Sequence, residues 1–293
     1  MMHCKMTIGF ACGLALALGS VAPAEQQKGD SGGKSRANLD AIRKVSALLD
    51  ADVMNRANEK IASVEDLVLS PEGRAQYAVL GSGGIAGVGT SYTAVPWEAL
   101  GVKFVDGKWA VDLDMTKEAL EKAPRLQGDH YRDMTNAEWV ARVHTFFRPQ
   151  TERAGQHRGA LQTILRATKI VDATLKNARD ESIGEVEELL LDREGRVAFA
   201  ILGRGGVLDI GESFIPVPWE NLRLNYSKED TSVTAVIDAT RERLEKAPLV
   251  KGDSYANLLD PEFREYVYKY FGANQSARSV GAVGKETPAT ERP

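Results

Sequence analysis

Residues whose type and spacing could do chemistry are few in this 293-residue chain. The run Gly81-Ser82-Gly83-Gly84-Ile85-Ala86 fits a loosened dinucleotide fingerprint and follows a candidate strand. The fingerprint needs a helix immediately afterwards, to turn its positive end on a pyrophosphate. Here Gly87, Gly89 and another strand pattern follow, so the run reads as a glycine-rich hairpin loop. Two pairs of adjacent acids, Glu65-Asp66 and Glu187-Glu188, could serve acid–base or cation chemistry. Neighbours on a strand point to opposite faces, so these pairs are expected to be solvent-facing or locally salt-bridged. His130, His144 and His157 match no zinc spacing and read as surface or capping residues. His-Glu-x-x-His and Walker motifs are absent from the sequence. No catalytic residue, cofactor ligand or metal ligand is expected.

Apolar surface offers more. Val-Pro-Trp-Glu occurs twice, which makes Pro96, Trp97, Pro218 and Trp219 candidate partner contacts, since Trp is enriched at interaction hot spots. The competing reading packs both Trp residues on their own unit, with Pro ending the strand. Two amphipathic segments, about Asn136 to Phe147 and Pro261 to Phe271, carry aromatic residues at spacings of three and four. They add Trp139, Phe147, Tyr270 and Phe271 as candidate partner contacts, against the alternative of docking on their own unit.

The elements that must position these residues are duplicated. Ile61 to Leu100 aligns with Ile183 to Leu222 at a constant offset of 122, with 20 of 40 positions identical. A repeat of about 110 residues is too long for a solenoid and has the size of a small domain. Each copy reads as β-rich runs flanking a Gly turn: Ile61 to Leu69, Gly73, Ala75 to Leu80, and Ile183 to Leu191, Gly195, Val197 to Leu202. The strands Tyr92 to Pro96 and Lys108 to Leu113 follow, matched by Phe214 to Pro218 and Ser232 to Ile237. Thr116 and Thr240 stand where N-caps belong, with Glu118 and Glu242 in the first turn. Ala123-Pro124 and Ala247-Pro248 stop these helices. Gly128-Asp129-His130-Tyr131 and Gly252-Asp253-Ser254-Tyr255 then lead into the amphipathic helices. Short strands with close Gly turns predict a small barrel or sandwich in each copy.

These residues resemble the PRC-barrel family, the β-barrel module of the photosynthetic reaction-centre H subunit and of a ribosome maturation factor. The likeness rests on Ile183 to Asp192, Gly195 to Leu202 and Ile215 to Trp219, on their counterparts Ile61 to Leu69, Gly73 to Leu80 and Ala94 to Trp97, and on Leu-Glu-Lys-Ala-Pro at Leu120 and Leu244. The resemblance implies a mainly β fold with short helices: two small PRC-like barrels in tandem, each followed by an amphipathic helix. It also implies a protein-interaction and assembly platform with no catalytic set to carry over. The family usually has Gly where Asp50, Asp172 and Ala62 stand, which leaves local geometry open.

Around the repeats, residues 1–24 read as a secretory signal peptide: Lys5, an apolar run from Ile8 to Leu18, and Ala22-Pro23-Ala24 before Glu25. Both cysteines, Cys4 and Cys12, lie inside it. Residues 25–38 read as a flexible tether, 39–147 as the first repeat, 148–161 as a charged linker permitting independent motion, 162–272 as the second repeat, and 273–293 as a disordered tail. A net charge of −4 with scattered cations opposes nucleic-acid binding. The expected protein is periplasmic or secreted, non-enzymatic, and a scaffold for envelope proteins not identified by the sequence. A membrane role requires the N-terminal segment to stay uncleaved, as in an accessory subunit of an electron-transfer complex. A hydrolase site between the barrels is the remaining alternative.

Overall fold

The computed structural model describes residues 41–83, 89–106, 108–127, 131–151, 160–203, 213–227, 232–252 and 255–272. The first repeat contributes strands β1 (Arg43–Lys44), β2 (Asp52–Met54), β3 (Lys60–Leu69), β4 (Ala75–Ser82), β5 (Ser91–Pro96), β6 (Leu100–Val105) and β7 (Lys108–Leu113). Its helices are α1 (Val45–Leu48), α2 (Lys117–Leu120), α3 (Ala137–Phe146) and α4 (Arg148–Thr151). The second repeat contributes β8 (Leu165–Arg166), β9 (Thr174–Asn177), β10 (Ser182–Leu191), β11 (Val197–Gly203), β12 (Ser213–Pro218), β13 (Leu222–Tyr226), β14 (Val233–Ile237) and β15 (Val250–Lys251). Its helices are α5 (Ala167–Ile170), α6 (Arg241–Glu245) and α7 (Pro261–Phe271). The fold is mainly β, two small barrels in tandem, each followed by a helix.

The strands run in the same order in both copies. One sheet reads β5-β4-β3-β2-β7-β6 and the other β15-β12-β11-β10-β9-β14-β13. Neighbours pair antiparallel except at β2–β7 and β9–β14, which are parallel. The hairpin turns predicted at Gly73 and Gly195 are present, with φ of 79° and 74°, a region glycine enters without a Cβ clash. Asp50 and Asp172 also sit in the left-handed region, φ 64° and 68°, where glycine would be unstrained. Thr116 and Thr240 cap α2 and α6 by accepting from Ala119 N and Arg243 N. Backbone hydrogen bonds first, then a side-chain hydrogen bond with the neighbouring Thr116 or Thr240, lower the pKa values of Glu118 and Glu242.

Each long strand is bulged. The register of β3 against β4 shifts between Val64 and Asp66, and that of β10 against β11 between Val186 and Glu188. A bulge places two residues opposite one and breaks the alternation of faces. From Asp66 to Leu69, and from Glu188 to Leu191, every residue is therefore buried. This corrects the expectation for one member of each acid pair: Asp66 is fully buried and Glu188 is 4% exposed. His144 likewise departs from a surface role. It is buried on α3, with its Nε2 2.9 Å from the Tyr77 hydroxyl.

The barrels are not independent beads. The short strand that opens each repeat pairs with the other repeat's barrel: β1 with β10 (Arg43 opposite Leu191, Lys44 opposite Leu190) and β8 with β3 (Leu165 opposite Leu69, Arg166 opposite Val68). Between the two exchanged arms the hairpin turns meet. Ala75 N donates to Gly195 O at 2.9 Å and Val197 N to Gly73 O at 2.8 Å. The contact is isologous, residue i meeting j while j's counterpart meets i's, as in a two-fold homodimer. Both barrels fall in one compact unit. These main-chain pairs oppose the independent motion expected from the linker.

Candidate interaction site: two reciprocal arm slots

Each exchanged arm is a two-residue strand followed by one helical turn: Arg43-Lys44-Val45-Ser46-Ala47-Leu48, and Leu165-Arg166-Ala167-Thr168-Lys169-Ile170. Position by position the arms share a cation (Lys44, Arg166), a buried small apolar residue (Val45, Ala167), a hydroxyl (Ser46, Thr168) and a buried aliphatic residue (Leu48, Ile170). Burying Val, Leu or Ile fully contributes about 1.5–3 kcal/mol per side chain. The aliphatic positions therefore carry affinity, and the polar positions carry register.

Barrel one receives the second arm. The bulge turns the Asp66 carboxylate inward, where it accepts from Arg166 Nε (2.7 Å), Thr168 Oγ1 (2.8 Å), Thr168 N (3.2 Å), Tyr131 Oη (3.1 Å) and Leu67 N (2.8 Å). The Arg166 guanidinium lies 4.0 Å from the centroid of the Tyr131 ring. Burial first, then the Asp66 charge, holds the Tyr131 phenol well above its ordinary pKa, so it stays a donor.

Barrel two receives the first arm in the same manner. Glu188 accepts from Ser46 N (3.1 Å), Ser46 Oγ and Leu189 N (2.9 Å). Lys44 Nζ stands 5.1 Å from the centroid of Tyr255, the counterpart of Tyr131. Trp109 Nε1, on β7 of the first barrel, donates to Lys44 O at 3.0 Å, so the first arm is braced from its own barrel while lodged in the other. A buried carboxylate is tolerated where donors meet its oxygens, five at Asp66 and three at Glu188, and the same requirement makes the slot selective.

The candidate contacts chosen from sequence lie near these slots or on the terminal helices. Trp219 is 6% exposed, donates from Nε1 to Pro71 O at 3.2 Å and covers Gly73, where an added Cβ would stand 2.6 Å from the indole nitrogen. Trp97 is half-buried and covers Gly195 in the same way. Each Trp therefore covers the hairpin turn of the other barrel while its own short helical turn stays against its own sheet. Pro96 and Pro218 are buried at the ends of β5 and β12. Trp139 on α3 and Phe147, which ends α3, are buried, Phe147 edge-on to Phe146. On α7, Phe271 is buried and its carbonyl accepts from Asn221, while Tyr270 is half-buried with its hydroxyl on Arg243 O. Residues 1–24, 25–38 and 273–293, the loop residues 84–88 and 204–212, His130 and His157 lie outside the described residues.

Sequence reasoning missed Lys44, Ser46, Arg166 and Thr168. A signal existed: the offset of 122 continues back to Lys44/Arg166, Val45/Ala167 and Ser46/Thr168 as like-for-like replacements. The remaining acids, Glu65 and Glu187, lie over Gly81 and Gly203 on the adjacent strand, where the missing side chain leaves room. Partial burial and neighbouring acids (Asp50; Glu185 and Asp172) raise both pKa values. Among the described residues no group of His, Cys, Asp or Glu is placed to hold a metal ion, and no helix is long and apolar enough to cross a membrane.

A family model for the PRC-barrel domain matches residues 42–119 and 162–243, just over half of the chain. No curated protein matches it. PRC-barrel domains form a non-catalytic family that often serves as protein-interaction modules. Two matched segments and the duplicated sheets leave one assignment: the chain belongs to the PRC-barrel domain family.

Proposed function

We propose that this chain is an exported, non-enzymatic interaction module that holds envelope proteins together. The observation that carries the reading is that each barrel already binds a segment from outside itself, through a slot with matched polar and apolar positions. The buried carboxylates of both slots are engaged by the arms: Asp66 by Arg166 and Thr168, Glu188 by Ser46. The leader composition of residues 1–24 supports export, and the cysteine-free remainder suits an envelope protein that relies on its core.

Among the eight candidate contacts, Trp97 and Tyr270 keep partial exposure and are the ones a partner reaches without rearrangement. The other six require α3 or α7 to lift, or the barrels to part. Crosslinking pull-down from envelope fractions, with the full chain as bait, should return a stoichiometric protein partner, and Trp97→Ala should reduce its recovery. Recovery at background, or turnover of a substrate abolished by a point substitution, contradicts the proposal. Mass spectrometry of the mature protein should find Glu25 as its first residue.

A further inference from the structure

Resting on the interaction reading above, we infer that the slot on the second barrel is a peptide-recognition site for a partner segment with the pattern basic residue, small apolar residue, Ser or Thr, any residue, Leu or Ile, and that the chain's own first arm occupies it as a displaceable stand-in.

The pattern comes from two independent occupants. Lys44-Val45-Ser46-Ala47-Leu48 and Arg166-Ala167-Thr168-Lys169-Ile170 differ at every position, yet meet the same features in the same order. A two-residue antiparallel strand sets the register. A tyrosine face receives the cation (Tyr255 for Lys44, Tyr131 for Arg166). A buried carboxylate takes both the backbone N–H and the hydroxyl of the Ser or Thr. The fourth residue of the pattern is exposed in both arms, Ala47 and Lys169, and is unrestricted. The fifth is buried, Leu48 at 1% and Ile170 at 0%. A short strand followed by one helical turn, read by backbone pairing plus side-chain pockets, is strand addition to a sheet, a recurring mode of peptide capture.

The second barrel is the slot that exchanges. Glu188 holds its arm with two hydrogen bonds from Ser46, whereas Asp66 holds its arm with three from Arg166 and Thr168, including a guanidinium ion pair. Ser46 itself is exposed on its outer side, so an incoming segment has access to the hydroxyl position. The second arm sits between two folded barrels and cannot leave without separating them. The first arm stands at the N-terminal edge of the first repeat, preceded in sequence by the polar, Gly/Ser-rich residues 25–38.

The test uses the full mature chain and a fluorescein-labelled peptide, Ala-Ile-Arg-Lys-Val-Ser-Ala-Leu-Leu, copied from residues 41–49. Val45→Asp in the protein expels the first arm, and fluorescence anisotropy should then show saturable binding of one peptide per chain. Peptides carrying Ser46→Ala or Lys44→Glu should bind about tenfold more weakly or worse, the scale of a hydrogen bond to a charged group. Glu188→Ala added to the protein should remove the difference between the parent and Ser46→Ala peptides. A folded Val45→Asp chain that ignores the peptide, or that binds all three alike, overturns the inference. Should Val45→Asp prevent folding, hydrogen exchange on the unaltered chain decides. Excess parent peptide should speed exchange at the Ser46 and Leu49 amides while the Lys44→Glu peptide does not, and equal rates overturn the inference. Loss of the envelope partner in the pull-down would sink the scaffold role while leaving peptide binding intact, so the two readings fail separately.

Discussion

The two arm slots perform one task with different chemistry. Barrel one pairs a short carboxylate, Asp66, with a long planar cation, Arg166, and adds the Tyr131 hydroxyl as a further donor. Barrel two pairs a longer carboxylate, Glu188, with Ser46, and sets Lys44 over Tyr255. The geometry of the pairing survives, but the first slot is tied by an ion pair between a buried carboxylate and a partly exposed guanidinium, and the second by neutral donors. Duplication thus kept the interface while its two ends diverged in strength, one toward permanence and the other toward exchange.

The largest effect should come from breaking the stronger end. Asp66→Ala leaves the Arg166 guanidinium without its carboxylate and should cost about 3–5 kcal/mol, while Glu188→Ala, which removes hydrogen bonds but no ion pair, should cost about 2 kcal/mol. Denaturant unfolding measures both, and equal costs would erase the distinction between the slots. The Trp residues should show a milder version of the same inequality. Trp219, buried on Gly73, should lose about 3 kcal/mol on change to Ala, and the half-buried Trp97 on Gly195 should lose less, with thermal melts as the check.

The smallest effect is electrostatic and should be nearly equal in the two halves. Glu65 and Glu187 have folded pKa values raised above the ordinary 4.5. In the window between 4.5 and the raised value the folded state binds more protons than the unfolded one, so stability falls as pH rises through it. Glu65 is partly and Glu187 more fully in contact with solvent, which screens both charges and keeps the effect to about a few tenths of a kcal/mol. Glu65→Gln or Glu187→Gln should therefore be neutral to slightly stabilising at pH 7, with the gain vanishing below pH 4, by urea titration at each pH.

What could be read from the sequence was whatever is written locally. Gly73 and Gly195 announced their turns because only a positive φ closes them cheaply, and Thr116 and Thr240 announced caps that formed as expected. The helices α3 and α7 followed from aromatic spacing. The arms did not announce themselves. Arg43–Lys44 and Leu165–Arg166 are two residues each, too short for an alternating pattern, and their partners lie more than 90 residues away in the chain. Asp66 and Glu188 were misread because a regular strand would have turned them outward, and nothing in Val64-Glu65-Asp66 marks the bulge that turns them in. Val-Pro-Trp-Glu does not announce that each Trp also reaches across to the other barrel's glycine turn.

The central claim is that exchanged arms and facing hairpins make two domains into one folding unit. Scanning calorimetry of the full mature chain tests it directly. The account predicts a single transition with equal calorimetric and van't Hoff enthalpies, shifted as a whole by Asp66→Ala. Two separate transitions, with Asp66→Ala moving just one of them, would contradict it.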